Sequence, residues 1–263
     1  MSAMDLGRLG PAAGARIAVV GGCGGIGSCL VDAALAAGLR VANLDLPASI
    51  ALRPAREGEW QLPCDASQAA SLADAFATVG ERWGALDGLV HLAGFTPPPK
   101  ALRDTDESVW DEVMAVNVRG AWLAARAALP WLDRGVEPSV VLTSSGLSVT
   151  ADKGVGPYAA AKAAINAMTR NLAKENAPVV RVNAVAPGPV ETAFLSGGTG
   201  RGGQVGAADG WFEKGRAAIE ATIPQGRVGR PEDVAGPILF LLGQASRYMT
   251  GQVLYVNGGR LMF

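Results

Sequence analysis

Along this chain, short and largely apolar runs rich in Val, Ile and Leu alternate with longer stretches in which apolar residues recur every three or four positions. The short runs read as strands covered on both faces, the longer stretches as amphipathic helices. The strand candidates are "RIAVVG" (16–21), "RVANLD" (40–45), "LDGLVHLAG" (86–94), "SVVLTSS" (139–145), "VVRVNAVAPG" (179–188) and "GQVLYVNGG" (251–259). Helical patterns lie between them at 26–38, 70–84 and 108–132, around Tyr158, and after Pro231. This alternation predicts an α/β fold, a doubly wound parallel sheet of about seven strands with helices on both faces. No repeat or linker divides the chain, so one domain is expected over 15–263, after a flexible segment at 1–14.

One segment breaks the rhythm. Residues 194–221 read "FLSGGTGRGGQVGAADGWFEKGRAAIEA", with seven glycines from Gly197 to Gly210, both ends counted. A long Gly-rich insertion after a strand is either a substrate lid or a disordered surface loop; the lid is the expectation.

The turn between the first strand and first helix, "VVGGCGGIG", places Gly21, Gly25 and Gly27 as G-x-x-x-G-x-G. Glycines there let a pyrophosphate approach backbone N–H groups at a helix amino end, where the dipole favours negative charge. Asp45 ends the second strand, 24 residues after Gly21. That is where a dinucleotide fold sets an acid against the adenosine ribose hydroxyls. A carboxylate about 4 Å from a 2′-phosphate is unfavourable by on the order of 1 kcal/mol per unit charge in water, and about 4 at intermediate dielectric. With no Arg or Lys in the loop or directly after Asp45, NAD is expected over NADP.

Composition narrows the field. Net charge is -1 and the pI is near 5.9, which gives no electrostatic reason to expect nucleic acid or an anionic membrane as partner. Three cysteines without C-x-x-C spacing and a single histidine argue against a metal site and for a reduced, cytoplasmic setting. The first fifteen residues lack a continuous apolar core, so no signal peptide is expected, and "PILFLLG" is too short to span a bilayer.

"GPYAAAKAAI" places Lys162 four residues after Tyr158, one turn on along the same helix face. With the glycine loop, Asp45 and this pair in one chain, the sequence resembles the short-chain dehydrogenase/reductase family from about Ala15 to the carboxyl terminus. "CDAS" places Asp65 and Ala66 where the family contacts adenine. "HLAG" supplies Ala93 and Gly94, "NVRG" supplies Asn117, and "TSSGLS" supplies Ser145, thirteen residues before Tyr158. "PGPVET" puts Pro187, Gly188, Val190 and Thr192 where the family holds the nicotinamide ring. Val20 stands where the family has a Thr whose hydrogen bond ties the loop to the fourth strand; His91 and Leu92 replace the two asparagines at its other end. The two changes face one contact and are expected to offset each other by packing, with His91 a satisfied polar group at a strand end.

The resemblance implies a Rossmann fold and an NAD-dependent oxidoreductase interconverting a secondary alcohol and a ketone. It implies Asn117, Ser145, Tyr158 and Lys162 as catalytic residues. The cofactor contacts would be Gly21, Gly25, Ile26, Gly27, Asp45, Asp65, Ala66, Ala93, Gly94, Tyr158, Lys162, Pro187, Gly188, Val190 and Thr192. Tyr158 would exchange a proton with the substrate oxygen. Bringing its pKa from near 10 to pH 7–8 needs about 3 to 4 kcal/mol, which an ammonium about 4 Å away can supply while burial opposes it. Ser145 would steady the substrate oxygen, and Asn117 would hold a water in a relay to Lys162. A catalytically silent NAD-binding or redox-sensing protein is the alternative, one that has no need of an acid–base pair. Phe95, Leu147, Phe194, Leu195 and Trp211 suggest an apolar pocket, or else ordinary packing. The family further implies a homotetramer.

Overall fold

Seven parallel strands make a single sheet in the order β3-β2-β1-β4-β5-β6-β7. They are β1 (Arg16–Val20), β2 (Arg40–Asp45), β3 (Glu59–Pro63), β4 (Gly88–His91), β5 (Ser139–Thr143), β6 (Arg181–Pro187) and β7 (Val253–Val256). The computed structural model describes residues 9–150, 152–196 and 211–262. Eight α-helices are present among them: α1 (Gly25–Ala36), α2 (Pro47–Leu52), α3 (Ala69–Trp83), α4 (Glu107–Met114), α5 (Gly120–Leu132), α6 (Gly156–Asn176), α7 (Trp211–Glu220) and α8 (Pro231–Leu242).

The period-two alternation of strand side chains builds two cores. Ala18 and Val20 of β1 join Leu89 of β4 and Val140 and Leu142 of β5 under α3, α5 and α6. Ile17, Val19, Val90 and Val141 face the other way, under α1 and α8. Both faces of the sheet are therefore covered, and the carboxyl ends of β1, β4 and β5 open on one crevice where the strand order reverses. In a doubly wound sheet that crevice is the ligand site. Helix ends follow local chemistry: Gly38 and Gly84 sit at φ 77° and 75°, a region that favours glycine, just past α1 and α3.

The six strand runs read from the sequence all form strands. The seventh, β3, lies at the sheet edge and pairs only with β2. The continuous helix expected over 108–132 is interrupted by a π-helical turn, Ala115–Arg119, between α4 and α5. Its cause lies in the side chain of Asn117, whose Nδ2 donates to the carbonyls of Val113 (3.1 Å) and Phe95 (3.0 Å) and so competes with the helical ladder. Of the segment expected to be flexible, residues 9–14 are described; the Gly14 N–H donates to Gly38 O at 2.8 Å. Half of the expected lid, residues 197–210, lies outside the described residues. Its flanks are a 3-10 turn, Ala193–Ser196, and α7.

Candidate active site

The glycine loop after β1 is shaped by what a side chain would strike. A Cβ at Gly21, where φ is 89°, would lie 2.6 Å from Ala93 N, and one at Gly27 would meet the carbonyl of Gly21. A Cβ at Gly25 would lie 2.5 Å from Thr192 Cγ2, so the amino end of α1 faces Thr192 across a gap that only a glycine leaves open. Ile26 turns away and packs on the α1–α8 core. This cradle fits a pyrophosphate at a helix amino end.

At its adenosine side, Asp45 is held by two backbone donors: Cys23 N–H to Oδ2 at 2.8 Å and Leu46 N–H to Oδ1 at 2.7 Å. Each oxygen keeps a lone pair for a ribose hydroxyl. Asp65 accepts from the N–H and hydroxyl of Ser67 at 2.9 and 2.7 Å, next to buried Ala66. A cation near this end went unnoticed in the sequence. Arg53, just past α2, donates from Nη1 to Glu59 Oε1 at 2.6 Å and from Nε to Ser28 Oγ at 2.9 Å. Glu59 also accepts from Asn43 Nδ2 at 2.7 Å, and Asn43 reaches Cys23 Sγ at 3.4 Å. Arg53 is thus neutralised by a carboxylate on the edge strand that the sequence reading lacked.

At the other end of the crevice, Ala93 and Gly94 follow β4, while Pro187, Gly188, Val190 and Thr192 leave β6. Gly188 N–H donates to Val256 O at 2.9 Å, and Val190 bridges to Gly229. The loop is joined to the end of β4 by main chain: Leu92 and Ala93 N–H both donate to Val20 O, at 2.8 and 3.1 Å. Val20 and Leu92 do not pack against each other, because they belong to cores on opposite faces of the sheet.

The four chemistry-bearing residues converge. Tyr158 and Lys162 share one face of α6 and are buried, 8% and 4% exposed; Lys162 Nζ stands 5.3 Å from the centre of the Tyr158 ring. The Lys162 ammonium donates to Thr143 O at the end of β5, 2.9 Å away. Ser145, two residues on, is buried, and its Oγ accepts from Leu147 N–H at 3.2 Å. A Cβ at Gly94 would lie 2.6 Å from Asn117 Oδ1 and 3.6 Å from Lys162 Nζ, so those two atoms border one small space. Asn117 Oδ1 is buried without a hydrogen-bond partner, as a water-binding acceptor would be.

Electrostatics departs from the expectation drawn from spacing. Burial pushes the Tyr158 phenol above its ordinary value, and a hydrogen bond with Ser145 is the opposing influence. Burial also lowers the Lys162 ammonium to about 8. The phenol is thus not acidified in this arrangement, because desolvation outweighs its neighbours. His91 is also not the satisfied group expected: burial and the Lys162 charge lower it to about 3, and its Nε2 has no partner.

The apolar residues divide. Phe194 lies against the Tyr158 ring, centroids 6.0 Å apart. Phe95 belongs to a buried cluster with Val113, Val116 and Ala161, and partly buried Leu195 packs against Ile223 and Val228. Leu147 contributes its N–H to Ser145, and the Trp211 side chain lies outside the described residues. No group of His, Cys, Asp and Glu among the described residues could hold a metal, and no helix among them is long and apolar enough to cross a membrane.

Comparison with known proteins agrees with this geometry. Residues 21–260 match the family described as enoyl-(acyl carrier protein) reductase. The chain is 35% identical over 250 residues to 2-(S)-hydroxypropyl-CoM dehydrogenase 3 of Xanthobacter autotrophicus, covering 92% of this chain and 95% of that one. It is 37% identical over 182 residues to 3-oxoacyl-(acyl-carrier-protein) reductase FabG of Thermotoga maritima, covering 69% and 68%. A solved short-chain dehydrogenase/reductase of Brucella melitensis, named for glucose/ribitol dehydrogenase, superposes with a TM-score of 0.84 at 28% identity over 97% of this chain and 99% of that one. Dehydrogenases and reductases recur among these relatives, and the chain belongs to the short-chain dehydrogenase/reductase family.

Proposed function

We propose that the protein is an NAD-dependent oxidoreductase that interconverts a secondary alcohol and a ketone, with Tyr158 as general acid and base. The observation that carries this reading is the convergence of Ser145, Tyr158, Lys162 and Asn117 on one buried spot at the carboxyl ends of β4 and β5, beside the glycine cradle. The hydride acceptor, and a positive charge beside the phenol, would come from the oxidised nicotinamide ring. Gly21, Gly25 and Gly27 would admit the pyrophosphate, Asp45 the adenosine ribose, Asp65 and Ala66 the adenine. Ala93, Gly94, Pro187, Gly188, Val190 and Thr192 would flank the nicotinamide. Ser145 would donate to the substrate oxygen, Tyr158 would take or give its proton, and Lys162 would hold the ribose and pass the proton toward Asn117.

NAD over NADP is supported by Asp45, whose carboxylate would face a 2′-phosphate, and by the ion pair of Arg53 with Glu59, which offsets the charge of that cation. The hydroxy and oxo compounds in the relatives' names suit an alcohol–ketone substrate, and Phe194 over the phenol suits an apolar one. Three free thiols fit a reduced cytoplasmic setting, and half-exposed Trp122 on α5 fits a homotetramer built through α5 and α6. The test is the NADH absorbance band during incubation with NAD or NADP and a panel of secondary alcohols. Turnover with NAD is the expected result. Cofactor binding with no turnover on any alcohol or ketone would favour the silent sensor.

A further inference from the structure

Asn166 lies four residues beyond Lys162 and eight beyond Tyr158, on the same face of α6. It is only 6% exposed, so its amide must find partners inside the protein. It finds two, one on each side of Ser145. Ser144 Oγ donates to Asn166 Oδ1 at 2.5 Å, and Asn166 Nδ2 donates to Ser148 Oγ at 2.9 Å. Ser148 Oγ in turn donates to the carbonyl of Ser145 at 2.6 Å.

The directions of these bonds fix the amide. Ser148 spends its only hydroxyl proton on Ser145 O, so it can only accept from Asn166, which must present its NH2 group there. Oδ1 is then left facing Ser144, whose hydroxyl also lies 3.2 Å from Lys162 O. The flipped amide would lose the Ser145 link. One side chain therefore clamps the residue before Ser145 and, through Ser148, the carbonyl of Ser145 itself. The turn it holds, Gly146–Ser148, is the one whose Leu147 N–H aims Ser145 Oγ.

We propose that Asn166 is a positioning residue that locks the Ser145 turn to the helix carrying Tyr158 and Lys162, so that the serine hydroxyl meets the phenol and the substrate oxygen together. This rests on the reading of Ser145 and Tyr158 as the reacting pair. The clamp joins the segment after β5 to α6, and the separation of these two sets the Ser145–Tyr158 distance. Ser145 is also the group that opposes the burial-driven rise in Tyr158's pKa, so loosening the clamp weakens that opposition.

The experiment compares wild type, Tyr158→Phe, Asn166→Leu, Ser148→Ala and the Asn166→Leu/Ser148→Ala double variant. Each is assayed with NAD and 2-butanol or 1-phenylethanol across pH, with NADH binding followed by fluorescence. For Asn166→Leu and Ser148→Ala, kcat falls by about 10- to 100-fold, the scale of a misplaced catalytic group. NADH affinity stays within about twofold, and the pH at which oxidation becomes fast moves up, because Tyr158 ionises later. The double variant loses no more than the worse single, since both break one link. Unchanged kcat, a fall in kcat with an unmoved pH profile, or additive losses would overturn the clamp. Where Asn166→Leu does not fold, Ser148→Ala alone decides by the same pH shift. An inert wild type, or a fully active Tyr158→Phe, sinks the underlying reading instead, which separates the two failures.

Discussion

Lys162 points its ammonium at the carbonyl of Thr143, 2.9 Å away, and stands 5.3 Å from the centre of the Tyr158 ring. The lysine is therefore anchored to the sheet and adjacent to the phenol at once. A side chain so placed can hold a ribose and a proton path without collapsing onto the tyrosine. Tyr158→Phe keeps the ring and its contact with Phe194 and removes only the hydroxyl. Turnover falls by at least about a thousandfold, the upper range for loss of a general acid–base, while NADH binding by fluorescence stays within about twofold. Near wild-type oxidation by this variant would refute the mechanism.

Lys162→Met separates stability from function. The lysine's folded pKa of about 8 lies below its unfolded value near 10.5, so the unfolded chain binds more protons between those two values. Stability from this group is therefore present above about pH 10.5 and lost as pH falls toward 8, at a cost on the order of 3 kcal/mol at neutral pH. The methionine variant should melt at a higher temperature than wild type at pH 7, with the gap closing as pH approaches 10. Turnover should be lost. A lower Tm across the whole range would show that the charge is stabilised by more than Thr143.

Asp45→Ala should weaken NAD and favour NADP in relative terms. Removing one unit charge near a 2′-phosphate is worth about 1 to 4 kcal/mol, a change in the NADP/NAD ratio of kcat/KM of roughly 5-fold to several hundredfold. Steady-state kinetics with both nucleotides reads this directly. An unaltered ratio would remove Asp45 from cofactor selection.

His91 gives the fold an acid-sensitive joint. Its folded pKa, about 3, lies below the unfolded value near 6.5. Its contribution is complete above 6.5 and is lost as pH falls from there toward 3, with a slope of up to about 1.4 kcal/mol per pH unit. The lowered carboxylates Asp87 and Glu59 act only at more acid pH. Denaturant unfolding between about pH 6.5 and 5 should therefore show a falling stability that His91→Leu flattens. An identical slope in both proteins would mean that the imidazole is hydrated in solution.

The fold was legible wherever strands are buried on both faces, because such runs carry an apolar signal on every position. β3 escaped for the opposite reason: in "EWQLP" polar and apolar residues alternate, Trp60 and Leu62 pack on the core, and Glu59 faces the polar cluster with Asn43 and Arg53. The grouping of Ser145, Tyr158 and Lys162 could be read because their spacing in the chain reports a helix face and a strand end. Asn166 could not, since its partners Ser148 and Ser144 lie 18 and 22 residues away, and Arg53 could not because its carboxylate partner, Glu59, sits on the edge strand that escaped. The phenol's acidity was misjudged because spacing shows a nearby charge and hides desolvation.

The junction at Val20 carries a broader lesson. Its carbonyl receives two amide protons from the strand beyond, and amides are common to all residues except proline. Substitution there can reshape packing but cannot erase the link. With valine, histidine and leucine at Val20, His91 and Leu92, the glycine loop therefore stays seated on the sheet through bonds that do not depend on side-chain identity.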